Sequence, residues 1–476
     1  MHTINCSLKK AVNVKRARPM KSHAQVRADD RTKLINDYTS YSDEEVTMLA
    51  QKLTTLSPNS DEYMDEISNF SSILKNSTSS QINILKSIHF DEYLLSIIKM
   101  NPQPFILQRC MSCVFVWINK SHNKDVIFNT PEFALICSSI ILSPTQTDQR
   151  TCMLALAVLK TICSYSTVNI HALTENQIIP QIVLFYLNCQ EVLIRRELLC
   201  LLYFIVKSKQ IAFEIISECG KIFTEVVSNP YDPNLDTILA LASAFASCGD
   251  TFCLIICDCL PLSNLFSSFE NLSNDEQAGF LRLLISVFDS SNEVGINILV
   301  DIFNWEIVPI ILSRPNNEIL KEYFIGILCS SFPKSIQMII QALKNNIFSL
   351  LLEWITGDQF KIQSHSLIAV LRSIRFGMPI VGEILLNNNI LNIIILFLDS
   401  NSKILIREIC ETSQTLAAYF AATGKLKITE VLERACIPML LEEIENSDDE
   451  PLSEDLIEMI KDSLQEIQDD QLWKSI

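Results

Sequence analysis

Glycine is scarce in this chain, with 9 residues in 476. Loops that cradle phosphate groups and tight β-turns both depend on glycine, because glycine adopts positive φ angles without steric cost. The sequence therefore argues against a glycine-rich nucleotide loop and against a fold rich in β-turns. The motifs H-E-x-x-H and G-x-S-x-G are also missing from the sequence, which argues against two common kinds of hydrolase active site.

Histidine pairs at helical spacing are missing as well. None of the six histidines follows another at i+3 or i+4, so two of them cannot form a metal site on one helix. The cysteines 248, 253, 257 and 259 could bind a soft metal, since Cys253 and Cys257 share a helical face. The simpler interpretation is that Cys253 and Cys257 belong to the apolar side of a helix. We therefore expect no enzyme, no cofactor and no metal.

Long hydrophobic runs are another absence. The apolar run Ile390 to Leu398, for example, has nine residues and is interrupted by Asn392. A bilayer-spanning helix needs about 18 or more, so we expect no membrane insertion. The basic N-terminus is not followed by an apolar stretch, which argues against a secretory signal.

The 16 cysteines do not form an obvious disulfide framework. Reduced cysteine behaves as a small hydrophobic residue, and buried thiols are typical of reducing compartments. The sequence therefore predicts a protein of the cytoplasm and nucleus. The cysteines that lie within apolar helical runs include Cys110, Cys113, Cys152, Cys163, Cys200 and Cys410.

What the sequence does contain is a repeat. Eight segments share an apolar stretch, a polar break and a second, longer apolar helix, and their spacing averages about 43 residues. A helical period in the forties is typical of armadillo or HEAT repeats. The polar residues that mark the long helices are Arg109, Arg150, Arg195, Asp236, Gln277, Lys321, Gln363 and Arg407.

Several repeats have room for three helices, which favours armadillo over HEAT repeats. One of them reads Asn169 to Leu173, Ile178 to Leu187 and Leu193 to Val206. The third helices are apolar around most of their circumference, so they should lie sandwiched between neighbouring repeats. We predict an all-α fold, an armadillo-repeat right-handed superhelical solenoid whose concave surface binds other polypeptides.

Local signals mark where helices start and break. Ser42, followed by three acidic residues, predicts an N-cap and the first helix of the array. Pro131, Pro180, Pro309 and the run Asn387-Asn388-Asn389 are predicted to break short helices.

Charge divides the chain into three parts. Residues 1–35 carry a net charge of +7, residues 440–476 carry −11, and the residues between them carry −13. The predicted domains are a basic flexible arm over 1–36, an armadillo array over 37–439, and closing helices with an acidic tail over 440–476. A basic arm beside an acidic body favours an intramolecular contact or an acidic partner over nucleic acid.

Two features are candidates for binding. Phe115 and Asn119 lie four residues apart on a predicted third helix, so they share a face. An exposed asparagine can hydrogen-bond both N–H and C=O of an extended peptide, and the aromatic ring can hold the aliphatic stem of a Lys or Arg. An incidental polar residue at a helix end is the alternative.

The second feature is the basic arm, which could instead be a solvated tail or a nuclear-localisation-like patch. Its basic residues include Lys9, Lys10, Lys15, Arg16 and Arg18.

These features together resemble the importin subunit alpha family, which has a basic arm, armadillo repeats and an acidic C-terminus. Val12 to Arg18 is similar to the V-x-L-R-K-x-K-R core of the family's arm, and Phe70 to Asn119 resembles its first repeat. Ile437 to Ile467 resembles its closing helices. The resemblance implies a nuclear transport adaptor that binds peptide cargo through Phe115 and Asn119 and a beta-type importin carrier through the arm.

One departure from the family concerns cargo. Its members repeat a Trp and an Asn, four residues apart, on successive third helices. Here Phe115 and Asn119 match once, and the next repeat has Ala157 and Thr161 at these positions. Because most of this Trp–Asn series is missing, we expect weak binding of ordinary basic nuclear localisation signals. The alternative function is a general armadillo-repeat scaffold that does not recognise nuclear localisation signals.

Overall fold

The regular structure is entirely helical in the part of the chain that the computed structural model describes. It comprises 25 α-helices and a short 3-10 turn at Phe269–Asn271. No strand occurs among these residues, and the all-α prediction is confirmed. The described residues are 41–121, 127–143, 148–208, 214–228, 232–314, 317–357, 359–380, 390–398, 400, 402–435 and 454–469.

The described residues form two compact units. The N-terminal unit holds residues 41–248 and 255–261, and the C-terminal unit holds residues 249–254 and 262–469. The helices of the N-terminal unit are α1 (Asp43–Thr55), α2 (Asp61–Asn76), α3 (Ser79–Ser87), α4 (Phe90–Lys99), α5 (Pro104–Ser121), α6 (Pro131–Ile141), α7 (Gln149–Tyr165), α8 (Thr167–Glu175), α9 (Ile178–Asn188), α10 (Val192–Lys207), α11 (Glu214–Ser228) and α12 (Leu235–Ala246).

Helix α13 (Asp250–Cys259) contributes residues to both units. The helices of the C-terminal unit are α14 (Leu262–Ser267), α15 (Asn274–Ser290), α16 (Glu293–Ile302), α17 (Ile307–Ser313), α18 (Glu318–Ser331), α19 (Ile336–Lys344), α20 (Ile347–Gly357), α21 (Phe360–Gly377), α22 (Ile390–Leu398), α23 (Lys403–Ala422), α24 (Leu426–Ala435) and α25 (Glu454–Asp469). Of the predicted closing region, 440–476, the described part is α25.

The predicted N-cap at Ser42 is confirmed. The Ser42 hydroxyl accepts a hydrogen bond from the Glu45 backbone N–H at 3.2 Å, and the Glu45 carboxylate accepts one from the Ser42 N–H at 2.7 Å. This reciprocal capping box satisfies two backbone donors that have no partner inside the helix. Helix α1 therefore begins at Asp43, as the local sequence indicates.

All eight polar markers lie in long helices, which are α5, α7, α10, α12, α15, α18, α21 and α23. These helices begin one to five residues before the marker. In α5 and α10 the first turn contains a solvent-exposed apolar residue, Phe105 or Leu193, which are 40% and 60% exposed. In these two helices the polar marker lies inside the helix, because apolar residues start it.

The long helices pack side by side within each unit. In the N-terminal unit α2, α5, α7, α10 and α12 each pack against the next, and in the C-terminal unit α15, α18, α21 and α23 do the same. Leu156 on α7 and Leu201 on α10 are fully buried. Each repeat therefore completes its core only against its neighbours, which is how a repeat array is stabilised.

Complete repeats contain three helices, as the sequence predicts. The repeat with α8, α9 and α10 has a short first helix, a second helix, and a long third helix. The same order recurs in α3–α5, α13–α15, α16–α18 and α19–α21. Three helices per repeat of this length define an armadillo-type helical solenoid.

The prediction for the prolines was wrong. Pro131 is the first residue of α6, and Pro180 and Pro309 lie in the first turns of α9 and α17. Proline is tolerated there because the first-turn N–H groups have no acceptor inside the helix. These prolines therefore start helices, whereas the Asn387–Asn389 run lies outside the described residues.

Among the described residues, no single helix is both long enough and apolar enough to cross a bilayer. Two helix pairs, α7 with α8 and α16 with α17, have sufficient length and apolar composition only when both helices are counted together, and the pairs are bent by 117° and 69°.

Candidate functional site

Phe115 and Asn119 lie together on the last turns of α5. Asn119 is exposed and Phe115 is half-buried. The Asn119 side-chain amide donates a hydrogen bond to the Phe115 backbone carbonyl at 2.8 Å. The two residues therefore share a face, as expected from their spacing, and the amide is directed back along its own helix.

The equivalent pair in the next repeat is Ala157 and Thr161 on α7. The Thr161 hydroxyl donates to the Ala157 backbone carbonyl at 2.8 Å. A threonine hydroxyl has one proton to donate, whereas an asparagine amide has two. A donor held on its own helix cannot also bind a peptide, so this repeat lacks the grip that Asn119 could supply.

Charged side chains on neighbouring third helices of the N-terminal unit form ion pairs. Lys160 on α7 lies 2.7 Å from the Glu197 carboxylate on α10, and Arg196 on α10 lies 2.8 Å from the Asp236 carboxylate on α12. Glu197 and Asp236 are the kind of acidic group that could attract a basic peptide. Because each carboxylate has an internal cation, a peptide lysine would have to compete for it.

Arg195, one of the polar markers, has a structural role. Its guanidinium group lies 3.2 Å from the carboxylates of Glu225 and Asp232 and stacks on the Tyr186 ring, 4.5 Å from the ring centroid. Burial raises the pKa of the Tyr186 hydroxyl to about 12. Position 195 is therefore polar because its guanidinium group links α10 to α9 and to the α11–α12 region.

The C-terminal unit carries a longer network on α21 and α23, which we call the arginine–glutamate surface. It consists of Arg372, Arg375, Arg407, Glu408 and Glu411. Nε of Arg372 donates to Glu408 at 2.7 Å, and Nε of Arg407 donates to Glu411 at 3.0 Å. Arg375 joins the two pairs, because Nη1 lies 3.5 Å from Glu408 and also contacts Glu411.

A separate ion pair links the start of α21 to α18. Lys361 on α21 lies 2.5 Å from the Glu322 carboxylate on α18. Burial lowers the pKa of His365, and the nearby Glu322 carboxylate partly opposes that shift. His365 is therefore held toward its neutral form, and the surface gains no charge from it.

Two lysines, which the sequence reasoning missed, bind the ends of neighbouring third helices. Nζ of Lys120 on α5 donates to the carbonyls of Leu74 at 3.0 Å and Lys75 at 2.6 Å, and it also contacts that of Ser77. These carbonyls lie at the C-terminus of α2, where backbone acceptors lack helical partners. The lysine charge also complements the negative end of the helix dipole.

Lys334 makes the same contact five repeats later. Its Nζ donates to the carbonyls of Phe288 at 2.7 Å, Asp289 at 2.5 Å and Ser291 at 3.3 Å, at the end of α15. Both α2 and α15 end in an extended serine, Ser77 or Ser291. A serine at a helix end with a lysine one repeat later is the sequence signal that could have predicted this contact.

A shallow pocket of about 470 Å³ lies on the C-terminal unit. Its wall includes Trp305, whose indole N–H donates to the Gln341 side chain at 2.9 Å. Among the described lining residues only Glu306 is titratable, so the pocket offers no pair of groups for acid–base catalysis. The lining residues are Phe303, Asn304, Trp305, Glu306, Val308, Pro309, Asn345 and Ile347.

The other predicted site residues have different outcomes. The arm residues Lys9, Lys10, Lys15, Arg16 and Arg18 lie outside the described part of the chain. Cys253 is fully buried, with its Sγ 3.9 Å from the Val287 backbone carbonyl. Over the ranges that the structure describes, no group of three or more His, Cys, Asp or Glu residues is arranged to hold a metal ion.

No protein-family model matches this chain, and no curated protein matches it in sequence. Solved structures do match its fold. An engineered protein from the Northeast Structural Genomics Consortium aligns over 82% of this chain and 93% of its own length, with a TM-score of 0.58 and 12% identity. A sequence identity of 12% supports a shared fold and nothing further.

Two matches to armadillo proteins are shorter. A designed armadillo repeat protein and one of the computationally designed armadillo repeat proteins for modular peptide recognition each cover 51% of this chain and 98% of their own length. Both are 13% identical to it, with TM-scores of 0.41. The fold assignment therefore rests on the three-helix repeats and their packing, together with the longer match.

Proposed function

We propose that this chain is an importin-alpha-like nuclear transport adaptor, a non-enzymatic protein that binds peptide cargo on its third helices and a beta-type importin carrier through residues 1–36. It would act in the cytoplasm and nucleus. The observation that carries the proposal is the series of third helices packed side by side in the N-terminal unit, with the exposed amide of Asn119 on α5. Such a series can present a continuous surface to an extended polypeptide.

The geometry also supports low affinity for ordinary basic cargo. Asn119 already donates one of its two amide protons to the Phe115 carbonyl, so it can offer a peptide only the second proton and the amide oxygen while that bond is kept. The next repeat offers Thr161, which is bonded to its own helix, and the acidic groups Glu197 and Asp236 are ion-paired. Each lost backbone hydrogen bond is worth about 0.5–1.5 kcal/mol, so several losses weaken binding by orders of magnitude.

We expect the protein lacking residues 1–35 to bind a labelled lysine-rich peptide weakly, and Asn119→Ala to weaken this binding by about tenfold. The reason is that the amide can exchange two hydrogen bonds with the peptide backbone, together worth about 1–3 kcal/mol. Fluorescence anisotropy titration of both proteins measures the effect.

Asn188→Ala is the matched control for this titration. Asn188 is also exposed, and its amide donates to the Leu184 carbonyl at 2.8 Å, but it lies on the second helix α9. It should leave the affinity unchanged. Tight peptide binding by the parent and by Asn119→Ala alike would show that other residues bind cargo and that our site is wrong.

We expect removal of residues 1–35 to abolish capture of a beta-type importin carrier, and neutralising Lys15, Arg16 and Arg18 together to do the same. The arm carries +7 beside an acidic body. Exposed charges are screened over about 8 Å at physiological ionic strength, so capture should also weaken as salt is raised. A pulldown with purified carrier, scored at low and high salt, measures this.

A control with the same change in charge is available on the folded body. Lys52, Lys99 and Lys221 have exposed side chains and surface ion pairs, so their triple change to glutamine should have little effect on stability. It should leave carrier capture intact. Unchanged capture after the arm triple change would reject the carrier role.

A second candidate function is a general armadillo scaffold without recognition of nuclear localisation signals. The observation in its favour is that Ala157 and Thr161 occupy the positions where the next cargo-binding pair would be. The acidic groups Glu197 and Asp236 are also ion-paired between third helices. Normal carrier binding would reject this alternative, whereas loss of both carrier and basic-peptide binding would favour it.

A further inference from the structure

Third helices of the C-terminal unit differ in charge. Helices α21 and α23 carry five Lys or Arg residues against Glu408 and Glu411, a net +3. Helices α15 and α18 carry five Asp or Glu residues against Arg282 and Lys321, a net −3. In a chain whose total is −17, α21 and α23 are therefore a local excess of positive charge.

The exposed side of the arginine–glutamate surface is cationic. The Glu408 side chain is 8% exposed and that of Glu411 is 22% exposed, whereas Arg407 reaches 49%. The side chains of Arg372 and Arg375 are 29% and 27% exposed, so each arginine is more exposed than either glutamate. A ligand that approaches from solvent meets positive charge first.

The network also has more hydrogen-bond donors than acceptors. Three arginines present about fifteen N–H donors, whereas the oxygens of two glutamates and of the Cys329 carbonyl, which accepts from Arg372 at 2.9 Å, offer about ten lone pairs. Guanidinium forks match the geometry of carboxylates. Donors therefore outnumber acceptors within the network, and a carboxylate is a group whose geometry matches them.

The arginines are held in place before any ligand binds. Arg372 is fixed by Glu408 and by the Cys329 carbonyl, and Arg375 lies over the Phe376 ring, 4.6 Å from its centroid. Fixed side chains lose less conformational entropy on binding, which favours affinity. The same two helices carry exposed apolar side chains: Phe376, directly after Arg375, is 36% exposed, and Ile404, three residues before Arg407, is 67% exposed.

We propose that the arginine–glutamate surface binds an acidic peptide segment that also carries an aromatic or aliphatic residue. Glutamate or aspartate side chains of the segment pair with Arg375 and Arg407, and its apolar residue packs on Phe376, beside Arg375. This partner is independent of the basic cargo proposed for Asn119, because it uses other helices and the opposite charge.

A peptide fits this surface better than a nucleic acid does. Nucleic acids bind through rows of phosphate contacts along an extended cationic surface. The positive region here is confined to α21 and α23, and the adjacent third helices carry exposed acids such as Asp275, Asp289 and Glu318. A long polyanion would meet repulsion within one or two repeats.

The test is a titration of the full chain with a short fluorescein-labelled glutamate-rich peptide that contains one phenylalanine. Arg407→Gln and Arg375→Gln should each raise the Kd by about tenfold, the loss expected when a charge-assisted bond of about 1.4 kcal/mol is removed. In Arg407→Gln, Glu411 keeps its pairing with Arg375, so this variant should fold normally. Circular dichroism melting curves check that.

Arg196→Gln is the matched control, because Arg196 is also an ion-paired third-helix arginine, with its side chain 50% exposed. It should leave the Kd unchanged. Equal binding by the parent, Arg407→Gln and Arg375→Gln would overturn the proposal, since the basic arm would then be the binding site. Displacement of the peptide by a single-stranded oligonucleotide at equal concentration would overturn the peptide assignment in favour of nucleic acid.

Discussion

Truncation of Leu201 to alanine is expected to lower the free energy of unfolding of the N-terminal unit by roughly 2–5 kcal/mol. Leu201 is fully buried on α10, which packs against α7 on one side and α12 on the other. The loss combines the transfer energy of the removed carbon atoms with the cost of the cavity left behind. Leu156→Ala, on α7, should have an effect of the same size for the same reason.

Leu193→Ala is the control for this truncation. Leu193 lies on the same helix as Leu201 but is 60% exposed, so its loss should change stability by less than about 0.5 kcal/mol. Chemical denaturation of the parent protein, Leu201→Ala and Leu193→Ala measures the differences in the free energy of unfolding. A Leu201→Ala effect as small as that of Leu193→Ala would mean that the inner layer between α7 and α12 does not carry the stability of the unit.

The same variant tests whether the repeats are independent. In a nearest-neighbour array, damage at α10 should first loosen α7 and α12. Amide hydrogen exchange should therefore rise in these three helices while α21 and α23 keep their protection. A uniform rise in exchange across all helices would contradict a repeat array with local cooperativity.

Substitution of Lys120 by methionine is expected to cost about 2 kcal/mol of stability. Methionine keeps the length and apolar character of the side chain but leaves the carbonyls of Leu74, Lys75 and Ser77 without their cation. Hydrogen bonds to charged groups contribute about 1.5–3 kcal/mol, and a cation at a helix C-terminus adds about 0.3–1 kcal/mol. Solvent access to this half-buried site reduces the sum. Thermal and denaturant unfolding measure the loss.

Two comparisons make this result specific. Lys334→Met removes the same kind of contact from a lysine that is exposed, so it should cost less than Lys120→Met. Lys99→Met removes an exposed ion pair with Glu132, which is worth at most about 1 kcal/mol. Equal effects of Lys120→Met and Lys99→Met would show that the helix-end contact does not stabilise the fold.

The class of the fold could be predicted from the sequence alone. The period of about 43 residues located all eight third helices, and the Ser42 capping box located the start of α1. Both are local or strictly periodic signals, which depend only on residues close together in the chain. The markers lie one to five residues after the helix starts, and in α5 and α10 exposed apolar residues, Phe105 and Leu193, precede them.

What the third helices present to a partner depends on how they pack against one another. Lys120 binds carbonyls 43 to 46 residues away, and Arg372 binds a glutamate 36 residues away. Such pairings depend on the relative register of neighbouring helices, which average spacing does not fix. Summed charge marks the body as uniformly acidic, yet packing of α21 against α23 brings Arg372, Arg375 and Arg407 together. The physical reason is that charge acts over a few ångströms between side chains, whereas sequence composition averages it over hundreds of residues.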